Sequence, residues 1–172
     1  VGHIGRFCPQ KNHGFLLELF ARLCREEPSA VLLLAGTGPL EGEIRRRVRA
    51  AGLEERVRFL GVVEDTAPLY QAMDCFVLPS RYEGLPVVAV EAQAAGLPCF
   101  VSDTVDPGAA FADGVHFLPL DAPEAWAQAL CGGALARNPN ARQQAVDAGY
   151  DIRTSARVLQ QFYIGRAAGV TP

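Results

Sequence analysis

The sequence predicts an α/β fold in which helices cover both faces of a doubly wound parallel sheet. Short apolar runs of strand length alternate along the chain with longer segments of helical periodicity. The apolar runs are continuous rather than alternating with polar residues, which is typical of strands buried on both faces. The resulting order, β-α-β-α-β-α-β-α-β, is the order of a parallel sheet with crossover helices.

Five strands are predicted before residue 103, and each is a run rich in valine, leucine or phenylalanine. They are VGHIGRF (1–7), VLLLAG (31–36), VRFLG (57–61), CFVLPS (75–80) and PCFVS (98–102). The chain opens at Val1, inside the first of these strands. We therefore expect it to be a part of a longer protein.

Amphipathic segments between the strands predict the helices. Residues 13–28 carry a stripe of apolar side chains along one face of a helix. The stripe consists of Leu16, Leu17, Phe20, Leu23 and Cys24. In residues 38–52, apolar side chains recur at intervals of four, with arginines on the other face. Residues 66–74 begin with Thr66 and Pro68, which is a common start of a helix.

The pattern weakens after Gly114. Residues 115–120 predict one more short strand, and residues 122–136 and 140–151 predict helices. A terminal helix, at about residues 154–165, is predicted to begin at a Ser/Thr cap. These elements together predict one Rossmann-like domain over the whole chain, residues 1–172, with the single tryptophan in its core.

Composition restricts the classes of function. The net charge of −3 argues against binding of nucleic acid by bulk electrostatics. No apolar run approaches the roughly 18 residues of a membrane-spanning helix. Five dispersed cysteines without a Cys-x-x-Cys pair favour reduced thiols in the cytoplasm over a disulfide framework. His3, His13 and His116 lack the spacing of metal ligands, so no metal site is predicted.

Ligands of doubly wound sheets bind at the carboxyl ends of the strands, so the residues after each strand are the candidates for a site. Arg6 and Lys11 follow the first strand and could hold a diphosphate, or they could be two solvated loop charges. Gly36 and Gly38 follow the second strand in an imperfect Gly-x-Gly-x-x-Gly pattern, whose third glycine, Gly42, stands one place late. This pattern fits a backbone that approaches a nucleotide, or a tight turn between strand and helix.

The third strand is followed by Val62, Val63 and Glu64. These residues could line a pocket for a base. The same segment could simply prepare the next helix, with Asp65 or Thr66 as its cap.

The segment SRYEGLPVVAVEA follows the fourth strand. A helix is predicted to start at about residues 85–87, and its free N–H groups and positive dipole end would form an anion site at the edge of the sheet. Glu83 precedes this helix and Glu91 lies more than one turn inside it, so the two could bracket a polar ligand. Alternatively, Glu83 only interacts with the helix dipole, and Glu91 is a paired or partly exposed helix residue.

Four segments together resemble the C-terminal, donor-binding domain of retaining GT-B glycosyltransferases of glycosyltransferase family 4. The closest likeness is to bacterial enzymes that build capsular and exopolysaccharides. The segments are IGRFCPQKNHGFLLELFARL, VLLLAGTGPLEGEI, VRFLGVVED and LYQAMDCFVLPSRYEGLPVVAVEAQAAGLPCFVSD. They occur in the family's order and spacing over about Val1 to Asp103, and the last contains the family's two glutamates with seven residues between them.

The resemblance implies a role for each candidate. Arg6 and Lys11 match the cations that bind the donor diphosphate and stabilise the leaving nucleotide. Glu83 matches the carboxylate that hydrogen-bonds the donor sugar, and Glu91 matches the one that holds the ribose. Arg6, Lys11 and Glu83 are therefore the expected catalytic residues. The expected donor-binding residues are Gly36, Gly38, Val62, Val63, Glu64, Ser80, Gly84, Leu85, Pro86 and Glu91.

The implied reaction is transfer of a sugar from a nucleotide-diphosphate sugar, with a UDP-sugar favoured, to a glycan or lipid-linked acceptor with retained configuration. No metal or other cofactor is implied, since the cations and the helix end neutralise the diphosphate. The implied partners are an N-terminal domain of the same enzyme and, for that enzyme, the inner face of the membrane. The domain alone is expected to bind donor without turning it over. Relatives often carry a polar residue where Pro107 and Gly108 stand, so the loop after the fifth strand is expected to differ.

Three other interpretations compete with this one. A sugar-nucleotide epimerase of the same architecture binds the same ligands, but such enzymes lack this spacing of paired glutamates. A non-catalytic module that binds nucleotide sugars would be a degenerate transferase domain, and the presence of all four charged candidates speaks against decay. Half of a nicotinamide-dependent dehydrogenase would carry Gly-x-Gly-x-x-Gly after its first strand, and HIGRFC does not.

Overall fold

A six-stranded parallel sheet forms the centre of the computed structural model, which describes residues 1–132 and 135–167. Its strands are β1 (Gly2–Ile4), β2 (Leu32–Ala35), β3 (Val57–Gly61), β4 (Phe76–Leu78), β5 (Cys99–Ser102) and β6 (Val115–Leu118). Their order across the sheet is β3-β2-β1-β4-β5-β6, and all neighbours run parallel. The predicted α/β fold with a doubly wound sheet is confirmed, and every strand lies within its predicted range.

Seven α-helices connect and follow these strands in the described part of the chain. They are α1 (His13–Glu26), α2 (Glu41–Ala50), α3 (Ala67–Ala72), α4 (Val87–Ala94), α5 (Pro123–Gly132), α6 (Ala141–Asp147) and α7 (Ile152–Ala167). Short 3-10 turns lie at Pro9–Lys11 and Pro107–Ala109. None of these helices is long and apolar enough to cross a membrane. The helix predicted over 122–136 ends at Gly132, and residues 133–134 lie outside the described residues.

Two hydrophobic cores cover the two faces of the sheet. The first joins α1, α2 and α5, and the second joins α3 and α4. Strand residues alternate between them, so Val77 belongs to the first core while Phe76 and Leu78 belong to the second. Trp126 is fully buried in the first core, where its ring meets Phe15 edge-on, and its indole N–H donates to a carbonyl. The prediction that the tryptophan is a core residue is therefore confirmed.

The switch point of the sheet lies between β1 and β4. The chain runs outward from β1 to β2 and β3, and then returns to place β4 on the other side of β1. The loops that follow β1 and β4 therefore lead to helices on opposite faces of the sheet. This divergence opens a crevice at the carboxyl ends of the two strands, where doubly wound folds bind their ligands.

At two helix starts the structure identifies a capping residue that the sequence either predicted wrongly or left open. The terminal helix begins at Ile152 rather than at residue 154, because the Asp151 carboxylate accepts the N–H and the hydroxyl of Thr154 at 3.0 and 2.8 Å. Asp151 is thus the cap, and the prediction of a Ser/Thr cap was wrong. At α3, the open alternative is resolved in favour of Asp65, whose carboxylate accepts the N–H of Ala67 at 3.1 Å, while the Thr66 side chain makes no cap bond.

Arg137 ties the ends of α3 and α4 together. Its guanidinium donates to the Ala95 carbonyl, which follows α4, and to three carbonyls at the end of α3. The last carbonyls of a helix lack partners within the helix and carry the negative end of its dipole, so a cation is favourable there. This one side chain therefore fixes the two helices relative to each other.

Candidate functional site

The loops after β1 and β4 lie against each other at the switch point. The backbone N–H of Arg81 donates to the Gln10 carbonyl at 2.8 Å, and the Gln10 side chain donates to the Tyr82 carbonyl at 2.9 Å. Two hydrogen bonds thus join loops that are about seventy residues apart in sequence. They place the candidate residues of the first and fourth strands beside one another.

Lys11 and Glu83 form the charged centre of this contact. The Lys11 Nζ lies 2.6 Å from Glu83 Oε1, and the two side chains are only 14% and 11% exposed. The sequence predicts two separate ligand contacts at these residues, whereas the structure joins them directly. The carboxylate of Glu83 is therefore compensated by a cation of the same chain.

The loop between β4 and α4 is also fixed from its other side. The Ser80 carbonyl accepts hydrogen bonds from the Ser102 hydroxyl and, at 2.9 Å, from the Thr104 hydroxyl. Glu83 forms a parallel β-bridge with Val105. The loop around Glu83 is thus held between the segments that follow β1 and β5. The Ser80 hydroxyl itself is buried and has no partner among the described residues.

The first turn of α4 is open at this edge. The helix starts at Val87, in agreement with the prediction, and Pro86 is its N-cap without a side-chain cap bond. Leu85 and Val87 are exposed, and a side-chain atom added at Gly84 would meet nothing within 4 Å. The N-terminal N–H groups of the helix are thus uncapped by side chains, beside the Lys11–Glu83 pair, and their partial positive charge favours an anion.

Glu91 has a different environment from Glu83. It is an exposed residue of α4, and its Oε2 accepts the hydroxyl of Tyr70 at 2.9 Å. The Tyr70 ring is buried, and burial together with the Glu91 carboxylate raises the pKa of its hydroxyl. The hydroxyl therefore remains protonated at neutral pH and acts as a donor to Glu91.

Arg6 takes part in neither the Lys11–Glu83 nor the Tyr70–Glu91 contact. It is exposed, and its guanidinium makes no hydrogen bond or ion pair within the part of the chain that the structure describes. On the loop after β1, Lys11 is thus a paired cation and Arg6 is an unpaired one. Both lie just beyond β1, where the sequence placed them.

Gly36 and Gly38 are explained by close packing of backbone on backbone. Gly36 has a φ of +124°, and a Cβ there would lie 2.2 Å from the Gly5 carbonyl oxygen. A Cβ on Gly38 would lie 2.5 Å from the Phe7 carbonyl oxygen. The loop after β2 therefore needs both glycines to lie on the loop after β1, and this contact alone accounts for them. The third glycine of the imperfect pattern, Gly42, lies exposed within α2.

Val62, Val63 and Glu64, which follow β3, make fewer polar contacts than the loops after β1 and β4. Val62 and Glu64 are exposed, whereas Val63 is partly buried against the core that joins α3 and α4. The side chains of this segment form no polar contact within the described ranges before that of Asp65. The segment leaves the exposed side chains of Val62 and Glu64 next to the carboxyl end of β3.

A pair of buried histidines lies in the region of Lys11. His3 contacts the Val77 carbonyl through Nδ1 at 2.8 Å, and since a carbonyl only accepts, this nitrogen carries the proton. The two histidine rings meet edge-on with centroids 4.8 Å apart, and His13 also stacks on Phe7. Burial lowers the pKa of His3 to about 4 and that of His13 to about 3, with smaller contributions from Lys11. Both are therefore neutral at pH 7.

Neither these histidines nor other groups form a recognisable metal centre in the described residues. No set of three His, Cys, Asp or Glu side chains there could hold an ion. His116 is exposed and its ring stacks on Phe100 with centroids 5.0 Å apart.

Several residues that organise the site were missed by sequence reasoning. Tyr70, Ser102 and Thr104 all act through hydrogen bonds to residues far away in the chain. The only local signal for Tyr70 is an aromatic residue with a polar group on a short apolar helix, since such a hydroxyl needs a partner when buried.

Comparison with known proteins places the chain among enzymes that transfer sugars. Residues 1–133 match the family described as "Glycosyl transferases group 1". The chain is 42% identical over 171 residues to EpsF of Bacillus subtilis (strain 168), a protein assigned as a glycosyltransferase. It is 35% identical over 121 residues to the Vi polysaccharide biosynthesis protein VipC/TviE of Salmonella typhi. These matches cover 95% and 70% of the chain but only 44% and 21% of the relatives, so the chain spans less than half of their length.

Solved structures agree with the fold. The pneumococcal O-GlcNAc transferase GtfA, crystallised with UDP and GlcNAc, superposes with a TM-score of 0.78 at 18% identity over 93% of the chain and 35% of its own. The C-terminal domain of the group 1 protein LpcC from Francisella tularensis gives a TM-score of 0.63 at 20% identity, over 90% of the chain and 84% of that domain. The Rossmann-like sheet is therefore that of GT-B glycosyltransferases.

Proposed function

The chain belongs to the group 1 glycosyl transferases, and we propose that it is the donor-binding, C-terminal domain of a retaining GT-B enzyme of glycosyltransferase family 4. The donor is a nucleotide-diphosphate sugar, with a UDP-sugar favoured. The acceptor is a glycan or a lipid-linked saccharide in the synthesis of a capsular or other extracellular polysaccharide. The enzyme works in the cytoplasm, at the inner face of the membrane, and an N-terminal domain completes the cleft.

The observation that carries this proposal is the Lys11–Glu83 pair beside the open first turn of α4. A diphosphate carries two or more negative charges, and it needs cations and N–H donors that are already in place. Lys11, the unpaired Arg6 and the N-terminus of α4 supply these groups at the switch point of the sheet. A site for a simple polar ligand would not need this concentration of positive charge.

The close contact between Lys11 and Glu83 gives each residue a defined part in donor binding. When the diphosphate arrives, Lys11 shares its three N–H donors between the phosphate oxygens and Glu83. The Glu83 carboxylate, held by Lys11 and by its β-bridge to Val105, accepts hydrogen bonds from hydroxyls of the donor sugar. Gly84 and Leu85 lie between this carboxylate and α4, so their backbone borders the phosphates and the sugar.

The nucleoside occupies the side of the site formed by α3 and α4. Glu91 accepts hydroxyls of the ribose, because its carboxylate is exposed and, within the described residues, is held by a single side-chain donor, Tyr70. Val62, Val63 and Glu64 border the base, with the exposed apolar surface of Val62 available for contact with its ring. Gly36 and Gly38 shape this pocket indirectly, by keeping the loops after β1 and β2 together.

In the proposed reaction, the bond between the anomeric carbon and the diphosphate oxygen breaks, and its electron pair leaves with the nucleotide. The acceptor oxygen forms the new bond to the anomeric carbon on the same face of the sugar, and its proton passes to the departing phosphate oxygen. Negative charge develops on the leaving phosphate, where Arg6, Lys11 and the α4 N-terminus stabilise it. The proposal needs no metal ion, since these groups supply the positive charge.

The names of the relatives support the choice of donor and acceptor. GtfA and the Staphylococcus aureus TarM mutant were crystallised with UDP. An Escherichia coli relative, 35% identical over 103 residues, is named as a galactosyltransferase that uses UDP-Gal and an acceptor carried on diphosphoundecaprenol. Since the chain spans 44% of EpsF, we propose that the domain alone binds donor weakly and does not turn it over.

Calorimetric titration of the 172-residue chain with UDP, GDP, ADP and inorganic phosphate tests the proposal. We expect UDP to bind most tightly, and Lys11→Ala and Glu91→Ala each to weaken it roughly tenfold, the effect of losing one charged hydrogen bond. Arg142→Ala and Glu54→Gln, which change exposed charges on α6 and before β3, are the matched controls. Absence of binding by all four ligands at millimolar concentration would overturn the proposal.

Glu83→Gln gives a second readout in the same titration. The substitution removes a negative charge and releases Lys11, so the affinity for UDP without a sugar should rise. The gain from adding the sugar, measured as the ratio of UDP-sugar to UDP affinity, should fall. If Glu83→Gln weakened UDP as much as Lys11→Ala does, the diphosphate would not lie at Lys11.

A further inference from the structure

Tyr70 is buried in the core between the sheet and α4, yet its hydroxyl reaches the surface of that helix. Its ring is 2% exposed and meets Phe76 edge-on with centroids 6.0 Å apart. The hydroxyl lies 2.9 Å from Glu91 Oε2 and 3.0 Å from the Val88 carbonyl oxygen. One hydroxyl has one proton, so these two acceptors compete for it.

The carboxylate is the stronger acceptor of the two. Hydrogen bonds to an ionised group are shorter and roughly twice as strong as those between neutral groups. The Val88 carbonyl lies in the first turn of α4, where carbonyls already accept an N–H of the helix. The proton of Tyr70 is therefore directed to Glu91, and the Val88 carbonyl remains satisfied without it.

Glu91 has no other anchor in the part of the chain that the structure describes. It lies on an exposed surface of α4, and a glutamate there rotates about three side-chain bonds. The Tyr70 hydroxyl occupies one oxygen of the carboxylate and leaves the lone pairs of Oε1 free. The Glu91 side chain is thus held in one orientation before any ligand binds. Without the Tyr70 hydroxyl it would adopt this orientation only part of the time.

The backbone of Tyr70 is itself held in place by Arg137. Arg137 donates to the Tyr70 carbonyl and, through the same guanidinium, to the Ala95 carbonyl after α4. The backbone of α3 and the end of α4 are thereby fixed to one group. Tyr70 and Glu91 thus both lie on helices, α3 and α4, whose ends are joined by Arg137 from the segment between α5 and α6.

From this geometry we infer that Tyr70 is a positioning residue for nucleotide recognition, whose hydroxyl holds Glu91 in the orientation that accepts the ribose hydroxyls. This inference rests on the proposed function, since it presupposes that Glu91 meets a ribose. Tyr70 does not touch the ligand in this arrangement. Its contribution is to the selectivity of the site for a ribonucleotide over a deoxyribonucleotide.

The test compares UDP with its 2′-deoxy and 3′-deoxy analogues by calorimetry, using the 172-residue chain. The variants are Tyr70→Phe, Glu91→Gln and the double variant. Phenylalanine keeps the buried ring and removes only the oxygen, and the Glu91→Gln variant leaves the Tyr70 hydroxyl its alternative acceptor at Val88. The control is Tyr150→Phe, which removes a hydroxyl from the partly exposed ring between α6 and α7.

We expect Tyr70→Phe to weaken UDP roughly fivefold to tenfold, the effect of one lost hydrogen bond to a charged group. The same variant should weaken the deoxy analogue that lacks the recognised hydroxyl by less than twofold. Once Glu91 is glutamine, the additional loss from Tyr70→Phe should be small, because the two residues act as one unit. Tyr150→Phe should match the unaltered chain with every ligand.

Two results separate failure of this inference from failure of the proposed function. If UDP binds and Glu91→Gln weakens it while Tyr70→Phe does not, the nucleotide site stands and the positioning role of Tyr70 is refuted. If the unaltered chain binds neither UDP nor its analogues, the proposed function fails and the inference falls with it. A Tyr70→Phe loss of equal size for UDP and both deoxy analogues would indicate a general structural effect and would also refute the inference.

Discussion

Two sides of the candidate site hold one glutamate each, and they are built differently. The Lys11 side consists of the loops after β1, β2 and β4, with Glu83 almost buried and paired to Lys11. The Glu91 side consists of α3 and α4, with Glu91 exposed and anchored by one neutral hydroxyl. The same residue type is thus part of the folded framework on one side and an open ligand contact on the other.

This difference predicts how each side responds to change. On the Lys11 side, the groups proposed to bind the donor also hold loops together, so substitutions there should lower stability as well as binding. On the Glu91 side, substitution of the exposed Glu91 should alter binding and leave stability almost unchanged. Chemical denaturation of the 172-residue chain, combined with nucleotide titration, separates the two effects.

The largest loss of stability is expected from Gly36→Ala on the Lys11 side. The new Cβ would lie 2.2 Å from the Gly5 carbonyl oxygen, at a φ of +124° that side chains rarely adopt. Overpacking and backbone strain together should cost roughly 4 kcal/mol, measured as the free energy of unfolding in urea. Gly84→Ala is the control, since a Cβ there meets nothing within 4 Å. Equal losses at both positions would contradict the close packing of the two loops.

Lowering the pH should destabilise the fold on the Lys11 side, because the two buried histidines there are neutral in the folded state. Both have a pKa of 6.5 in the unfolded chain, and burial lowers it to about 4 for His3 and about 3 for His13. The unfolded state therefore binds protons below pH 6.5 while the folded state does not, so stability falls as the pH falls from 6.5 towards 4. Between pH 7 and pH 5 the two sites together should remove about 3 to 4 kcal/mol.

Urea unfolding at a series of pH values measures this loss. His13→Phe keeps an aromatic ring against Phe7 and removes one titrating group, so it should roughly halve the dependence on pH. A pH dependence that was the same in this variant and in the unaltered chain would show that His13 is not buried in its neutral form.

Lys11→Ala should lower the free energy of unfolding by less than Gly36→Ala does. Stability is lost because the Glu83 carboxylate is then left almost buried without a cation. The expected cost is about 2 to 3 kcal/mol, somewhat below that of breaking a fully buried pair. The double variant Lys11→Ala/Glu83→Gln removes the stranded charge and should recover part of this loss. A double variant less stable than Lys11→Ala alone would indicate that Glu83 is stabilised chiefly by other contacts.

The smallest change in stability is expected on the Glu91 side. Glu91→Gln removes a charge from an exposed position and leaves the Tyr70 hydroxyl a second acceptor, so the free energy of unfolding should change by less than about 0.5 kcal/mol. The affinity for UDP should nevertheless fall roughly tenfold. A loss of stability comparable to that of Lys11→Ala would remove the difference between the two sides.

The fold was predictable because most of its strands lie in short, continuous apolar runs with clear boundaries. PCFVS, for instance, contains β5, whose four residues are all buried, and continuous burial leaves a strong local signal. The edge strand β3 coincides with VRFLG but alternates between buried or partly buried and exposed residues, so the expected burial on both faces was wrong for this strand. The start of α7 was not predictable in detail, because Asp151 competes with the nearby Ser and Thr residues as a cap and only geometry decides between them.

The candidate residues of the site could be predicted from local sequence, because they are polar groups placed directly after strands. The contacts between these residues could not be predicted. The Lys11–Glu83 pair and the Tyr70–Glu91 bond each join different loops or helices, and such contacts depend on the order of strands in the sheet. At Gly36 and Gly38 the glycine pattern suggested contact with a ligand. In the structure both glycines are explained by close packing of the loop after β2 on the loop after β1.

The central claim, that a nucleoside diphosphate binds between these two sides, is tested most directly by following backbone amide resonances of the 15N-labelled chain during titration with UDP. The account predicts that the largest shifts cluster in the loops after β1, β3 and β4 and in the first turns of α4, and that Glu91→Gln weakens the response of all of them together. Shifts confined to other regions, or none at millimolar UDP, would contradict it.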